Sequence, residues 1–284
     1  MRSLDAAVRV VGPAQLQGGQ PDEMQALPGD MPVRDLQDIM AYPFFSLAKS
    51  KRIVPIDFRA GDITVRVEGT PQHGIATIWD ADVLIWAASQ IVAARAHRLG
   101  ASRRILAKPY EILCYTRRGT STRDYQRLRA ALDRLQSTSI ITSLRQSTSR
   151  RLHRFSWINE WKERCDATNR SLGVELILPD WFFDGVCDSA RVLTLPVSYF
   201  ALSGGIERWL YRLVRKHGGV QPAGWSFDFG HLYRKSGSTA RFCDFAVDVR
   251  RLVTRQSLPG YRLAIRRCAA GGEVLVFRPV SEDA

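Results

Sequence analysis

The sequence predicts an α+β protein: two tandem winged-helix domains, each a helical core with a β-hairpin wing, preceded by a flexible N-terminal arm. Three observations predict it. A succession of core helix, short helix, turn, longer basic helix and strand hairpin occurs twice along the chain. The longer helix of each set carries apolar residues on one side and arginines on the other. The charge is concentrated rather than spread. The 284 residues hold 41 Lys+Arg against 28 Asp+Glu, a formal net charge of +13. Residues 98–155 alone carry net +11 and residues 190–284 net +8, with an acidic bridge of net −4 over 156–189. The expected divisions are an arm over 1–41, a first domain over 42–172 and a second over 173–284.

The arm is inferred from its breakers, Gly12-Pro13, Gly18-Gly19, Pro21, Pro28-Gly29 and Pro32, and from the scarcity of large apolar residues. At its end, Val33 to Met40 can form one or two helical turns leading into the fold. Arg52–Phe58 and Asp62–Glu68 read as strands, with Ile63, Val65 and Val67 alternating against polar residues. Asp80 is placed to cap a helix running to His97, apolar nearly all round and so expected in the core.

Pro109 opens a short helix through Tyr115, and Arg117–Ser121 forms a turn. The next helix is expected over Thr122–Gln136, with Tyr125, Leu128, Leu132 and Leu135 as its buried stripe. Ser139–Leu144 and Leu152–Trp157 then read as the two strands of a wing, joined by the basic tip Arg145–Arg151. In the second half, Gly173–Leu178 and Val192–Leu195 read as strands, with a short helix after Pro179. A helix with Ile206, Trp209, Leu210, Leu213 and Val214 on one face ends at Gly218-Gly219. Asp228–Lys235 is a short helix, Thr239–Arg255 a longer one, and Leu258–Cys268 with Glu273–Phe277 a hairpin.

Such an outline fits DNA. A helix is narrow enough for the major groove, and its N-terminus offers free N–H groups to phosphate. Of the basic residues 35 are Arg, whose planar fork matches phosphate and the guanine edge. A GC-rich genome also enriches Arg, but it does not explain the clustering.

Other functions find little support. The chain has no G-x-x-x-x-G-K-[ST] loop, its five histidines form no H-x-H or H-E-x-x-H, and no carboxylate cluster marks a two-metal nuclease. Asp80 and Asp82 stand two apart at a helix start, where capping is a commoner role than metal binding. Five widely spaced cysteines give neither a disulfide framework nor a zinc site. No catalytic residue, metal or cofactor is therefore expected. No apolar run approaches the ~20 residues of a membrane span, and no secretory leader is visible, so a cytoplasmic location is expected.

Several longer words carry a resemblance. Pro43-Phe-Phe-Ser-Leu47 with Lys49, Ala76 to Leu84, Gly119 with Tyr125 to Gln136, and Phe155-Ser-Trp-Ile158 are among them. So are Ala201 to Tyr211, Lys235-Ser-Gly-Ser238 and Leu258-Pro-Gly-Tyr261. In this order the sequence resembles the plasmid replication initiator protein A family over about residues 42–280. The resemblance implies a bacterial plasmid protein that binds repeated origin sequences and starts replication with host replication proteins. It also implies two winged-helix domains and a homodimer that represses its own gene while a monomer binds the origin. A transcriptional repressor or an RNA-binding protein would show the same charge.

On this reading Thr122, Arg123, Gln126 and Arg127 contact DNA from the first basic helix, and Arg145, Arg150 and Arg151 from its wing. Ser238, Arg241, Arg251 and Arg255 are the counterparts on the second helix, with Arg266 and Arg267 on its hairpin.

Overall fold

The computed structural model describes residues 22–146, 151–219, 221–267 and 271–280. The part of the expected arm that lies within them is built into the fold. Strand β1 (Met24–Gln25) runs parallel to a strand of the first block, β2 (Val33–Leu36) pairs with a strand of the connector, and α1 (Gln37–Ala41) follows directly. Val33, Leu36, Ile39, Met40 and Ala41 are all buried. Their burial is the correction to an arm reaching residue 41: an apolar set this dense gains by leaving water, at roughly 1.5–3 kcal/mol for each large side chain. Residues 1–21 lie outside the described residues.

After β3 (Ile56–Ala60) and β4 (Ile63–Glu68) comes α2 (Ala81–Ala96), buried on nearly every side as its composition requires. Then follow β5 (Arg104–Ala107), α3 (Pro109–Tyr115) and α4 (Thr122–Ser137). The strands β6 (Ser139–Thr142) and β7 (His153–Ser156) do pair as a hairpin. They do not stand free as a wing. β6 also pairs with β4, Val67 opposite Ile140, so both strands belong to the antiparallel sheet β3-β4-β6-β7. Ile140 and Ile141 are both buried, which an outward hairpin would not permit. The hairpin that joins the helices is the next one, β8 (Glu160–Cys165) and β9 (Ser171–Ile177). β9 pairs with β5 on one side and β8 on the other, giving the order β1-β5-β9-β8. The division expected between residues 172 and 173 falls inside β9.

A connector of α5 (Asp180–Cys187), β10 (Val192–Leu195) and a short turn at Val197–Ala201 leads to the second block. That block consists of α6 (Gly205–Gly218), β11 (Trp225–Asp228), α7 (Phe229–Ser236), α8 (Phe242–Arg255), β12 (Tyr261–Arg267) and β13 (Glu273–Pro279). Its sheet order β11-β13-β12 repeats β5-β9-β8: the strand between the first two helices pairs with the last strand of the hairpin. α8 starts three residues later than its spacing predicts, because Gly237 turns left-handed (φ 59°) and Ser238–Arg241 complete the turn. Among the described cysteines, Cys165 and Cys243 are exposed and Cys114 and Cys187 half-buried, all as free thiols.

Buried charges tie the blocks together. Arg212 of α6 donates to both oxygens of Asp35 in β2, at 2.7 and 3.0 Å. Arg208 donates to Asp82 of α2 at 2.7 Å and to the carbonyls of Phe200 and Leu202. All four side chains are out of water, where only a hydrogen-bonded partner makes a charge tolerable. Burial raises the Asp35 carboxyl above its ordinary range, and the Arg212 fork opposes that rise. Lys235 of α7 lies over the rings of Tyr42 and Phe58 and donates to the Ala41 carbonyl at 3.1 Å. One cluster of apolar side chains runs through both blocks.

Candidate nucleic-acid interface

Helix α4 owes its position to its two ends. Asp124 caps the helix from its first turn: the Ser121 hydroxyl donates to the Asp124 carboxylate at 2.6 Å, and the Ser121 amide donates to the same oxygen at 3.2 Å. The Ser121 hydroxyl and amide hold the Asp124 carboxyl below its usual range. At the far end Arg134 grips Asp80 through two bonds of 2.8 Å. Leu128, Ala131, Leu132 and Leu135 face the core.

This leaves a polar face in water. Thr122, Arg123, Gln126 and Arg127 are all exposed. Arg123 and Gln126 have no ion-pair or hydrogen-bond partner through their side chains among the described residues. Arg127 meets Asp124 at 3.2 Å, three residues before it, while remaining 62% exposed. A surface pair of that kind is worth about 0–1 kcal/mol and is easily exchanged for a phosphate.

The other arginines of this region do different work. Arg145 is corrected outright: it is turned inward, 14% exposed. Its Nε donates to Asp38 at 2.7 Å, another nitrogen donates to the Trp181 carbonyl, and its guanidinium lies 3.8 Å over the Trp181 ring. Gly185 leaves room for it, since a Cβ there would stand 2.3 Å from the guanidinium. Arg150 falls outside the described residues, and Arg151 is exposed beside β7. Asp80 stands at the N-cap of α2 as expected, but its carboxylate binds Arg134 and the Thr77 amide, and Asp82 binds Arg208 and Arg118, the latter at 2.6 Å.

In the second block Arg241 lies exposed at the N-cap of α8, and Arg251 and Arg255 lie exposed along it. Arg241 and Arg251 make only surface pairs with Asp244 and Asp248. Arg266 and Arg267 are exposed at the end of β12. Ser238 is half-buried and committed to its own turn, where its hydroxyl oxygen accepts from the Ala240 amide at 3.2 Å.

Two features escaped the sequence reading. Arg262 and Arg278 stand directly opposite each other on β12 and β13, both exposed. Like charges so placed destabilise a hairpin unless an anion lies between them. The second feature is an open cleft of about 890 Å³ beside α4. Lys49, Lys51, Arg117, Arg118 and Arg127 line it together with Trp79. Lys49 and Trp79 stand within the words that carry the family resemblance.

Comparison with known proteins gives this basic surface a context. The family model described as "Replication initiator protein A" matches residues 34–263. The chain belongs to the replication initiator protein A family. The match begins at β2, in keeping with the burial of that strand. A protein of Wigglesworthia glossinidia brevipalpis described as "Putative replication protein" is 31% identical over 229 residues, which cover 79% of this chain and 82% of the relative. Among solved structures, domains 2 and 3 of RctB superpose with a TM-score of 0.62 at 14% identity, covering 87% of this chain and 99% of that one. A second crystal structure of RctB domains 2–3 gives 0.54 at 14% identity, over 85% and 95% of the two chains. At such identity the likeness to RctB is one of fold. The family match takes in the first block and the connector and ends within β12 of the second block. Among the described residues no helix is long and apolar enough to cross a membrane.

Proposed function

We propose that this replication initiator family member binds repeated origin DNA of a plasmid and promotes its opening with host replication proteins. Each block is read as a winged-helix domain, the first over about residues 81–177 and the second over 205–279. The observation that carries this reading is the exposed face of Arg123, Gln126 and Arg127 on α4, matched on α8 by Arg241, Arg251 and Arg255. Each helix would enter a major groove, with arginine forks at base edges or phosphates.

The two hairpins would contribute unequally. The first, β8–β9, carries Glu160, Glu163, Asp166 and Glu175 against Lys162, Arg164 and Arg170. The second carries Arg262, Arg266, Arg267 and Arg278 against Glu273. Backbone contact is therefore assigned to the second wing, and to α4 rather than a wing in the first domain. Two domains joined by buried ion pairs would hold two half-sites about one helical turn apart. Bend and twist stored between them would favour melting of a neighbouring AT-rich stretch, where host proteins load. The reading needs no catalytic step and no cofactor, and it accommodates a homodimer as the repressing form.

Titration of a duplex carrying tandem direct repeats from the origin tests it. With six to ten phosphates neutralised, affinity falls about 10³–10⁵-fold between 50 and 200 mM salt. A flat salt response, or equal affinity for structured RNA, overturns the reading. Replication in a host of a plasmid whose only added gene is this one separates an initiator from a repressor.

A further inference from the structure

Ile53 and Val54 are 55% and 60% exposed, the only adjacent pair of exposed large apolar side chains among the described residues. The segment that carries them is held rigidly. The Arg52 guanidinium donates to the carbonyls of Val54, Pro55 and Gly237, at 2.8, 3.1 and 2.6 Å. Lys51 donates to the Pro71 carbonyl at 2.9 Å, and the Arg52 carbonyl accepts from the Ile75 amide at 2.8 Å. Gly74 lets this chain pass close by: its φ is +76°, and a Cβ there would stand 2.6 Å from the Lys51 side chain. A loose loop would fold its apolar side chains back onto the protein. This one holds them out.

Its location is equally specific. Lys49 and Lys51 form one wall of the cleft to which Arg127 and the turn before α4 contribute. On the other side Arg52 reaches Gly237, in the turn that precedes α8. The loop thus sits between the leading ends of the two basic helices. From Ala48 to Pro55 it carries three cations and no carboxylate.

We infer that the Lys51–Pro55 loop is an apolar wedge for duplex DNA, inserting Ile53 and Val54 between base steps that lie between the two helix-bound half-sites. The inference rests on the proposed DNA binding and adds to it a cause of distortion. Apolar side chains that enter a base step unstack it and kink the duplex, while neighbouring cations hold the flanking phosphates. Charge complementarity favours DNA as the occupant over a protein partner.

The test uses the full chain, a duplex of two origin repeats, and the double variant Ile53→Ser/Val54→Ser. Affinity is read by fluorescence anisotropy, and unstacking by permanganate reactivity of thymines placed between the half-sites. The serine pair removes the side chains that enter the step, so reactivity should fall about tenfold at protein concentrations where anisotropy shows the duplex saturated. The conservative Ile53→Leu/Val54→Leu variant should keep the reactivity. Undiminished reactivity with the serine pair overturns the wedge, as does binding by the unaltered protein without any reactivity. Absence of binding by the unaltered protein shows in the anisotropy alone and removes the DNA reading itself.

Discussion

Arg208 of α6 and Asp82 of α2 meet at 2.7 Å, each almost wholly out of water, and so join the first helix of one block to the first helix of the other. Asp82 holds a second arginine, Arg118, in the turn before α4. One carboxylate therefore couples the placement of the second block to the exposed helix of the first. Changing Arg208 to Met strips Asp82 of its buried partner and should cost about 3–5 kcal/mol, visible as a lower urea midpoint. Pairing it with Asp82→Leu should recover part of that loss, because the buried carboxylate is gone and Arg118, 38% exposed, can turn to water. If Arg208→Met alone unfolds no earlier than the unaltered protein, the pair does not hold the blocks together.

Arg127 and Arg145 lie in one basic stretch of sequence but should behave in opposite ways. Arg127→Ala removes only a surface pair, so thermal stability should move by no more than about 0.5 kcal/mol. Binding should weaken, and discrimination at one base position should relax by about 1–3 kcal/mol if the fork reads a base. Arg145→Ala leaves Asp38 with only the longer pair to Arg191 at 3.9 Å and opens space over Trp181. It should lower stability while the folded fraction keeps its affinity. Parallel melts and titrations separate the two; the reverse pattern would mean the faces are exchanged.

The contrast shows what could be read without coordinates. α4 was expected over Thr122–Gln136 and runs Thr122–Ser137, since its cap at Ser121 and its leucine spacing are local signals. The destination of Arg145 depends on Asp38 and Trp181, both far away in the chain, and no local pattern encodes them. The same holds for the hairpins. β6–β7 follows α4 immediately and alternates well enough to pass for a wing, yet Val67 claims Ile140. The hairpin that does pair with β5 begins Glu-Trp-Lys-Glu-Arg-Cys, an edge strand too charged to show an apolar period. β5 and β11 are four residues each, too short for periodicity to register.

The facing arginines of the second hairpin give a further prediction. Relief of repulsion between Arg262 and Arg278 makes Arg278→Ala neutral or stabilising by about 0.2–1 kcal/mol in the free protein. If a phosphate lies between them in the complex, the same change weakens binding to all sequences alike and lowers the salt slope by about 1. A variant that is less stable and binds unchanged would place this strand pair away from DNA.

Acid sensitivity should centre on His217. Its ring packs edge-on against Phe227 at 5.0 Å in the last turn of α6, and its Nε2 has no hydrogen-bond partner among the described residues. Burial, with added repulsion from Lys216, Lys235 and His231, lowers its pKa to about 4 from an ordinary 6.5. The unfolded chain therefore binds a proton more readily than the fold between these values. Above pH 6.5 the ring is neutral in both states and stability is insensitive to it. As pH falls from 6.5 towards 4, stability is lost at up to about 1.4 kcal/mol per pH unit from this group. His217→Phe keeps an aromatic ring against Phe227 and removes the proton. Urea midpoints of the two proteins should differ little in their pH dependence above 6.5 and diverge below it, the variant falling less steeply. Carboxylates titrate alike in both, so the difference between the curves isolates the histidine. Parallel curves down to pH 4 would mean that the ring takes up its proton as easily in the fold as outside it.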